Sequence, residues 1–133
     1  MAKTDLELKA GAAECLDELL AAGYHVGLAT SSRRVAAERN LKTVGLFDKF
    51  ETVTFGEDVA YGKPDPEIYQ RAMEALGVEP AECLVIEDSP LGIEAGKRSG
   101  SRVLALRPHE GVNLDQSRAD AVIDNLTDIL AAL

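Results

Sequence analysis

The stretch Cys83-Leu84-Val85-Ile86-Glu87-Asp88-Ser89-Pro90-Leu91-Gly92-Ile93-Glu94-Ala95-Gly96 constrains the fold of this chain more than any other. It opens as a short apolar run, the pattern of a strand buried on both faces. Glu87 and Asp88 end that strand abruptly. Ser89 suits an N-cap and Pro90 the first helical position. The stretch therefore predicts a strand, an acidic tip and a helix. In open α/β sheets ligands bind at the carboxyl ends of the strands, where these two acids fall. Two carboxylates about 4 Å apart repel by about 4 kcal/mol at an intermediate dielectric. A hard cation such as Mg²⁺ removes that cost and favours oxygen ligands. The alternative is that Asp88 shares in the capping and both acids are simply solvated.

Helices and strands alternate along the rest of the chain. Gly11 to Ala22 carries Ala12, Cys15, Leu16, Leu19 and Leu20 at helical spacing, and Gly23 supplies the stop. Tyr24 to Ala29 reads as a strand ending at Thr30-Ser31-Ser32, followed by a helix near Arg34 to Val44 that Gly45 ends. Thr52 to Phe55 is the next strand. In the loop Tyr61-Gly62-Lys63-Pro64-Asp65-Pro66, Asp65 can cap a helix running from Pro66 to Leu76. The Cys83 strand and the Pro90 helix follow, with Gly100 at the helix C-cap. Then come a strand from Arg102 to Leu106, a polar loop to Arg118, a short strand Ala121 to Ile123 and a last helix Leu126 to Leu133. Met1 to Lys9 is polar and weakly patterned, as in a linker, an edge strand or a cloning remnant. This order predicts an α/β fold with a mostly parallel sheet and helices on both faces.

A length of 133 residues suits one domain, 1–133, around one core. The net charge of -9, with no basic stripe to offset it, argues against nucleic acid and anionic membranes as partners. Trp is absent, which argues further against base stacking. Cys15 and Cys83 lie in apolar patterns and read as buried thiols of a cytoplasmic protein. No apolar stretch is long enough to span a bilayer, and the N-terminus lacks the apolar core of a signal peptide.

Parallel strands joined by right-handed crossovers bring their carboxyl ends to one edge. That edge should collect Thr30 and Ser31, then Lys63 from its loop, then Glu87 and Asp88. Hydroxyls and loop N–H groups donate to anionic oxygens, a lysine adds a fixed positive charge, and carboxylates hold a divalent cation. The set suits a small phosphorylated metabolite with Mg²⁺. Taken singly, Thr30 and Ser31 suit a helix cap and Lys63 a solvated surface. Arg33 and Arg34 read as solvent-facing, His25 as a structural residue inside a strand, and His109 is given no role.

Three segments carry a family resemblance. They are Val26-Gly27-Leu28-Ala29-Thr30-Ser31-Ser32, Gly62-Lys63-Pro64-Asp65-Pro66, and Val85 through Gly96. In this order they resemble motifs two, three and four of the haloacid dehalogenase (HAD) superfamily, above all its β-phosphoglucomutase-like and phosphoglycolate-phosphatase-like members. The resemblance runs from Lys9 to Leu133. It implies a three-layer Rossmannoid fold and Mg²⁺-dependent phosphoryl transfer through an aspartyl-phosphate. It also implies that Thr30, with Ser31, binds phosphoryl oxygens, that Lys63 neutralises nucleophile and phosphate, and that Glu87 and Asp88 position Mg²⁺.

In that family a first motif, Asp-x-Asp on an apolar strand, supplies the nucleophile, and a cap domain follows it. This sequence matches the family from the helix after the cap. Its only nearby pattern, Asp5-Leu6-Glu7, has no apolar strand before it and is rejected as a nucleophile. The expectation is a partial core without cap or first central strand, inactive alone because covalent transfer needs a positioned attacking group. That strand would lie between those ending at Thr30 and Asp88. Direct closure of the gap predicts the order Thr52, Tyr24, Cys83, Arg102. The alternatives are filling of the gap by Met1–Lys9 or a second chain, or association through exposed strand edges into a homo-oligomer. Two functions stand side by side: a phosphatase or phosphomutase by ancestry, and a non-catalytic module that binds Mg²⁺ or phosphate or serves as an interaction unit.

Overall fold

A computed structural model of the chain describes residues 12–43, 45–108 and 111–132. In chain order its main elements are α1 (Ala12–Ala21), β1 (Gly27–Ala29), α2 (Arg34–Thr43), β2 (Thr52–Thr54) and α3 (Glu67–Leu76). They continue with β3 (Leu84–Glu87), α4 (Pro90–Arg98), β4 (Arg102–Leu106), β5 (Ala121–Ile123) and α5 (Ile129–Ala132). Local chemistry sets the boundaries. Gly23 and Gly77, at φ 90° and 72°, turn the chain out of α1 and α3 through left-handed backbone that a side chain would strain. The Ser89 hydroxyl accepts the Gly92 N–H at 3.1 Å, which caps α4 with Pro90 in its first turn. Asp65 accepts the Glu67 N–H at 3.0 Å and opens α3. The expected strand from Tyr24 shortens to Gly27–Ala29, and the last helix opens with a 3-10 turn, Leu126–Asp128.

Every strand pairing among the described residues is parallel. β1 pairs with β2 in the register Leu28↔Val53, and β4 lies between β3 and β5 with Ile86↔Leu104 and Ala105↔Val122. Side-chain alternation along β4 separates two cores. Val103 and Ala105 pack with Val85, Ile93 of α4, and Ile68, Tyr69 and Met73 of α3. Leu104 and Leu106 face the other way, onto Cys15 and Leu19 of α1 and onto Ile129. A third cluster, Leu16, Leu41 and Leu46, covers Leu28 and Val53. Helices therefore lie on both faces of parallel strands, the Rossmannoid arrangement expected.

The expected direct closure does not occur. Among the described residues β1–β2 and β3–β4–β5 are two separate sheets, and β1 does not pair with β3. The helices explain this. α1 sends Leu16 into the cluster over β1–β2 and Cys15 and Leu19 into the cluster over β4. α3 packs on β1, on β2 and on α4. Closing the seam would slide one half by about 4.8 Å, one strand spacing, and unseat both helices. The few hydrogen bonds gained are worth about 1 kcal/mol net each. Each large apolar side chain unseated costs about 1.5–3 kcal/mol. Packing wins.

Candidate functional site

Glu87, the last residue of β3, is the centre of the site. Its side chain is 10% exposed, and Lys63 Nζ lies 2.6 Å from its Oε2. The Tyr69 hydroxyl donates to the same oxygen at 2.5 Å. Oε1 accepts the Asp88 N–H at 3.0 Å and the Ser89 N–H and hydroxyl, both at 3.4 Å. Gly92 makes room for this carboxylate: a Cβ there would stand 2.0 Å from Glu87 Cδ. Burial works to raise the Glu87 pKa, but the Lys63 ammonium and the converging donors prevail and hold it at about 2, below the ordinary 4.5. Burial, and then the charge of Glu87, push the Tyr69 hydroxyl well above its usual range, so it stays a proton donor.

The loop that delivers Lys63 is anchored by the first turn of α3. Glu67 Oε1 accepts the N–H groups of Ala60 and Tyr61 at 3.0 and 3.2 Å. The Lys63–Pro64 peptide is cis. Lys63 Nζ lies 5.3 Å from the centre of the Tyr69 ring, an added cation–π attraction. Asp88 follows Glu87 directly, and its carbonyl accepts from Gln116 Nε2 at 3.0 Å.

Thr30 is buried at the end of β1. Its N–H donates to Thr54 O at 2.9 Å, and its Oγ1 accepts the Ser32 N–H at 3.1 Å. The hydroxyl proton is the donor it can offer a ligand. Ser31 is exposed, and its carbonyl abuts Gly56, where a Cβ would come within 2.3 Å. That close approach seats the loop after β2 against the loop after β1. Lys63, Glu87 and Asp88 thus form one constellation. Ala29, the residue before Thr30, packs against the core cluster that holds Tyr69 and Val85. Among the described residues no hydrogen bond links Thr30 or Ser31 to Lys63 or Glu87.

Two participants escaped the sequence reading. Tyr69 sits on the apolar stripe of α3, where a buried tyrosine needs a partner for its hydroxyl. Gln116 lies in the polar loop and gives no sequence signal. Other residues fall away from the rim. His25, expected inside a strand, precedes β1 and is exposed, 2.7 Å from Glu51. Arg34 pairs with Asp58 at 3.1 Å and lies over the Phe55 ring. Cys15 is buried, but Cys83, expected to be so, is half-buried; both are free thiols whose pKa burial raises. His109 lies outside the described residues, as do Asp5 and Glu7. Two shallow hollows, along α2 and between α2 and β2, contain neither Lys63 nor Glu87.

Comparisons with known proteins bear on the family and the fold. Residues 1–100 match the family model of haloacid dehalogenase-like hydrolases. The chain is 38% identical over 120 residues to the validoxylamine A 7′-phosphate phosphatase of Streptomyces hygroscopicus subsp. limoneus, covering 90% of this chain and 55% of that protein. The crystal structure of a HAD phosphatase from Thermococcus onnurineus superposes with a TM-score of 0.80 at 30% identity, covering 90% of this chain and 54% of that one. A β-phosphoglucomutase from Clostridium difficile superposes at 0.79 with 25% identity, over 90% of this chain and 51% of that one. The chain thus spans about half the length of the relatives it matches. By its matched sequence and its fold, this chain belongs to the haloacid dehalogenase-like hydrolases.

Proposed function

We propose that this chain carries the phosphate- and Mg²⁺-binding side of a phosphoryl-transfer site for small phosphate esters, and that alone it has no substantial phosphatase activity. The observation that supports this most is the part-buried Lys63–Glu87 pair with the buried Tyr69, beside Asp88 at the tip of β3. Lys63 supplies a fixed positive charge for an incoming phosphoryl group, and Glu87 keeps that ammonium oriented. Thr30 offers its hydroxyl proton, with Ser31 beside it on the same loop. We read the protein as cytoplasmic.

The donor set suits Mg²⁺ in kind. Mg²⁺ binds through one or two carboxylates and keeps waters or substrate oxygens as its other ligands. Among the described residues no group of three or more His, Cys, Asp or Glu is gathered, so the cation would share its ligands with substrate and water. Five donors converge on the Glu87 carboxylate, which has about four lone-pair sites. Asp88 is therefore the direct ligand in this proposal, and Glu87 acts by orienting Lys63 and the Asp88 backbone. When bound, Mg²⁺ supplies charge stabilisation at the phosphoryl oxygens.

The inactivity proposed for this stretch alone rests on reading the polar segment Asp5-Leu6-Glu7 as no nucleophile motif. The test is p-nitrophenyl phosphate hydrolysis by the purified chain with Mg²⁺. Turnover of about 1 per second or more, typical of enzymes, would overturn the inactivity. Calorimetry with Mg²⁺ and inorganic phosphate tests retained binding. A second reading, association of copies through strand edges, draws support from β1 and β3, each paired on one side only among the described residues. Sedimentation as a monomer at high micromolar concentration would count against it.

A further inference from the structure

We infer that Gln116 is a positioning residue for Asp88, holding its backbone, and with it the direction of its Cα–Cβ bond, from a loop distant in sequence; this rests on the assignment of Asp88 as a cation ligand. Asp88 lies beyond the last paired residue of β3 and before the cap of α4, so neither ladder nor helix holds it. Side-chain oxygen and nitrogen atoms of Glu87 and Gln116 meet its backbone on both sides. Its N–H donates to Glu87 Oε1 at 3.0 Å, and its carbonyl accepts from Gln116 Nε2 at 3.0 Å. The first bond fixes the peptide plane before Asp88, and the second fixes the plane after it. With both planes fixed, φ and ψ of Asp88 are set, and so is the direction of its Cα–Cβ bond.

Gln116 is itself held. The same Nε2 donates to Leu106 O at 2.8 Å. Asp88 follows the last residue of β3 and Leu106 is the last residue of β4, each one step past the final β3–β4 pair, Glu87 with Ala105. The amide thus bridges two carbonyls as one more rung beyond the end of the ladder. Both partners are acceptors, so the amide nitrogen must face them. An amide also provides these donors without adding charge beside two carboxylates. Glutamate in its place could not donate and would add repulsion.

The test uses Mn²⁺ alone as the probe, titrated into the full chain and followed by electron paramagnetic resonance well below the unfolding temperature. Gln116→Leu keeps the bulk and removes the donors. Groups that orient a metal's ligands typically change its affinity by about 10–100-fold, so Gln116→Leu should weaken Mn²⁺ at least tenfold. Ser117→Ala, which removes a 2.7 Å hydrogen bond to Asp115 in the same loop, should leave the affinity unchanged while lowering stability slightly. Should Gln116→Leu fail to fold, Gln116→Asn, too short to reach both carbonyls, replaces it with the same expected loss. Equal affinity in the Gln116 variant and wild type would overturn the positioning role and leave the cation site standing. Equal losses in Gln116→Leu and Ser117→Ala would also overturn it, in favour of general loop order. If wild type binds no Mn²⁺ at millimolar concentration, the cation assignment itself fails and the inference with it.

Discussion

β4 runs between two strands, while β1 has one strand neighbour among the described residues, and the burial of their side chains follows that difference. Val103, Leu104 and Ala105 of β4 are wholly inaccessible to solvent. Gly27, Leu28 and Ala29 of β1 are only half-buried, although the same kinds of helix cover them. β3, paired with β4 on one side, is intermediate: Val85 is buried, Leu84 and Ile86 are not. An apolar strand is thus buried by its in-plane neighbours as much as by the helices above and below it. The two half-sheets differ in burial for that reason, and what joins them is largely α1, α3 and the Lys63 loop.

The largest expected effect concerns that junction. Lys63→Met leaves the Glu87 carboxylate buried without its cation, and breaking such a pair costs about 3–5 kcal/mol. Urea unfolding should report this loss, and Lys63→Met combined with Glu87→Leu should recover much of it. The pH dependence has a definite sign. Because the Glu87 pKa is depressed to about 2 from 4.5, its contribution is present above 4.5 and is lost as pH falls through 2. Wild type should lose stability across that acid window, and the double variant should lose less.

The next effect measures the two halves directly. Leu104→Ala should cost about 3–4 kcal/mol, near the upper part of the range for buried leucines. Leu28→Ala should cost about half of that, since part of Leu28 already meets solvent. Equal losses would break the comparison. A smaller effect sharpens it. The Thr52 hydroxyl is buried in β2 and has no hydrogen-bond partner among the described residues. Thr52→Val removes that polar group at equal shape and should stabilise the chain by up to about 1 kcal/mol, read as a rise in midpoint temperature. The smallest effect lies at the far end of β1–β2. The Glu51 hydrogen bond raises the His25 pKa above 6.5, so the pair contributes below 6.5 and is lost as pH rises through the folded-state value. In Glu51→Gln, NMR titration should return His25 toward 6.5, with little change in stability because both groups are exposed.

Much of this was legible in advance, and the reasons are local. The apolar run before Glu87, the Ser89–Pro90 start and the Gly23 and Gly77 stops are signals each residue carries by itself. The order of strands and helices followed from them, and so did the closeness of Lys63 to Glu87. The unclosed seam was not legible, because it depends on how α1 and α3 divide their side chains between the two sheets. Tyr69 was partly legible, as a hydroxyl on an apolar stripe. Gln116 was not, because a glutamine in a polar loop looks the same whether it meets water or two carbonyls. His25 falls outside the strand for a similar reason: the mostly apolar run from Tyr24 suggests a strand there, but the ladder begins two residues later.

The vacancy opposite Glu87 at position 92 carries a cost for the helix that frames the site. In the interior of an exposed helix, alanine would be preferred over glycine by about 1 kcal/mol. Here the added methyl would sit 2.0 Å from the carboxylate carbon, far inside van der Waals contact. α4 therefore forgoes that rigidity at its first turn, and the stability it lacks there is the volume in which the anion is seated.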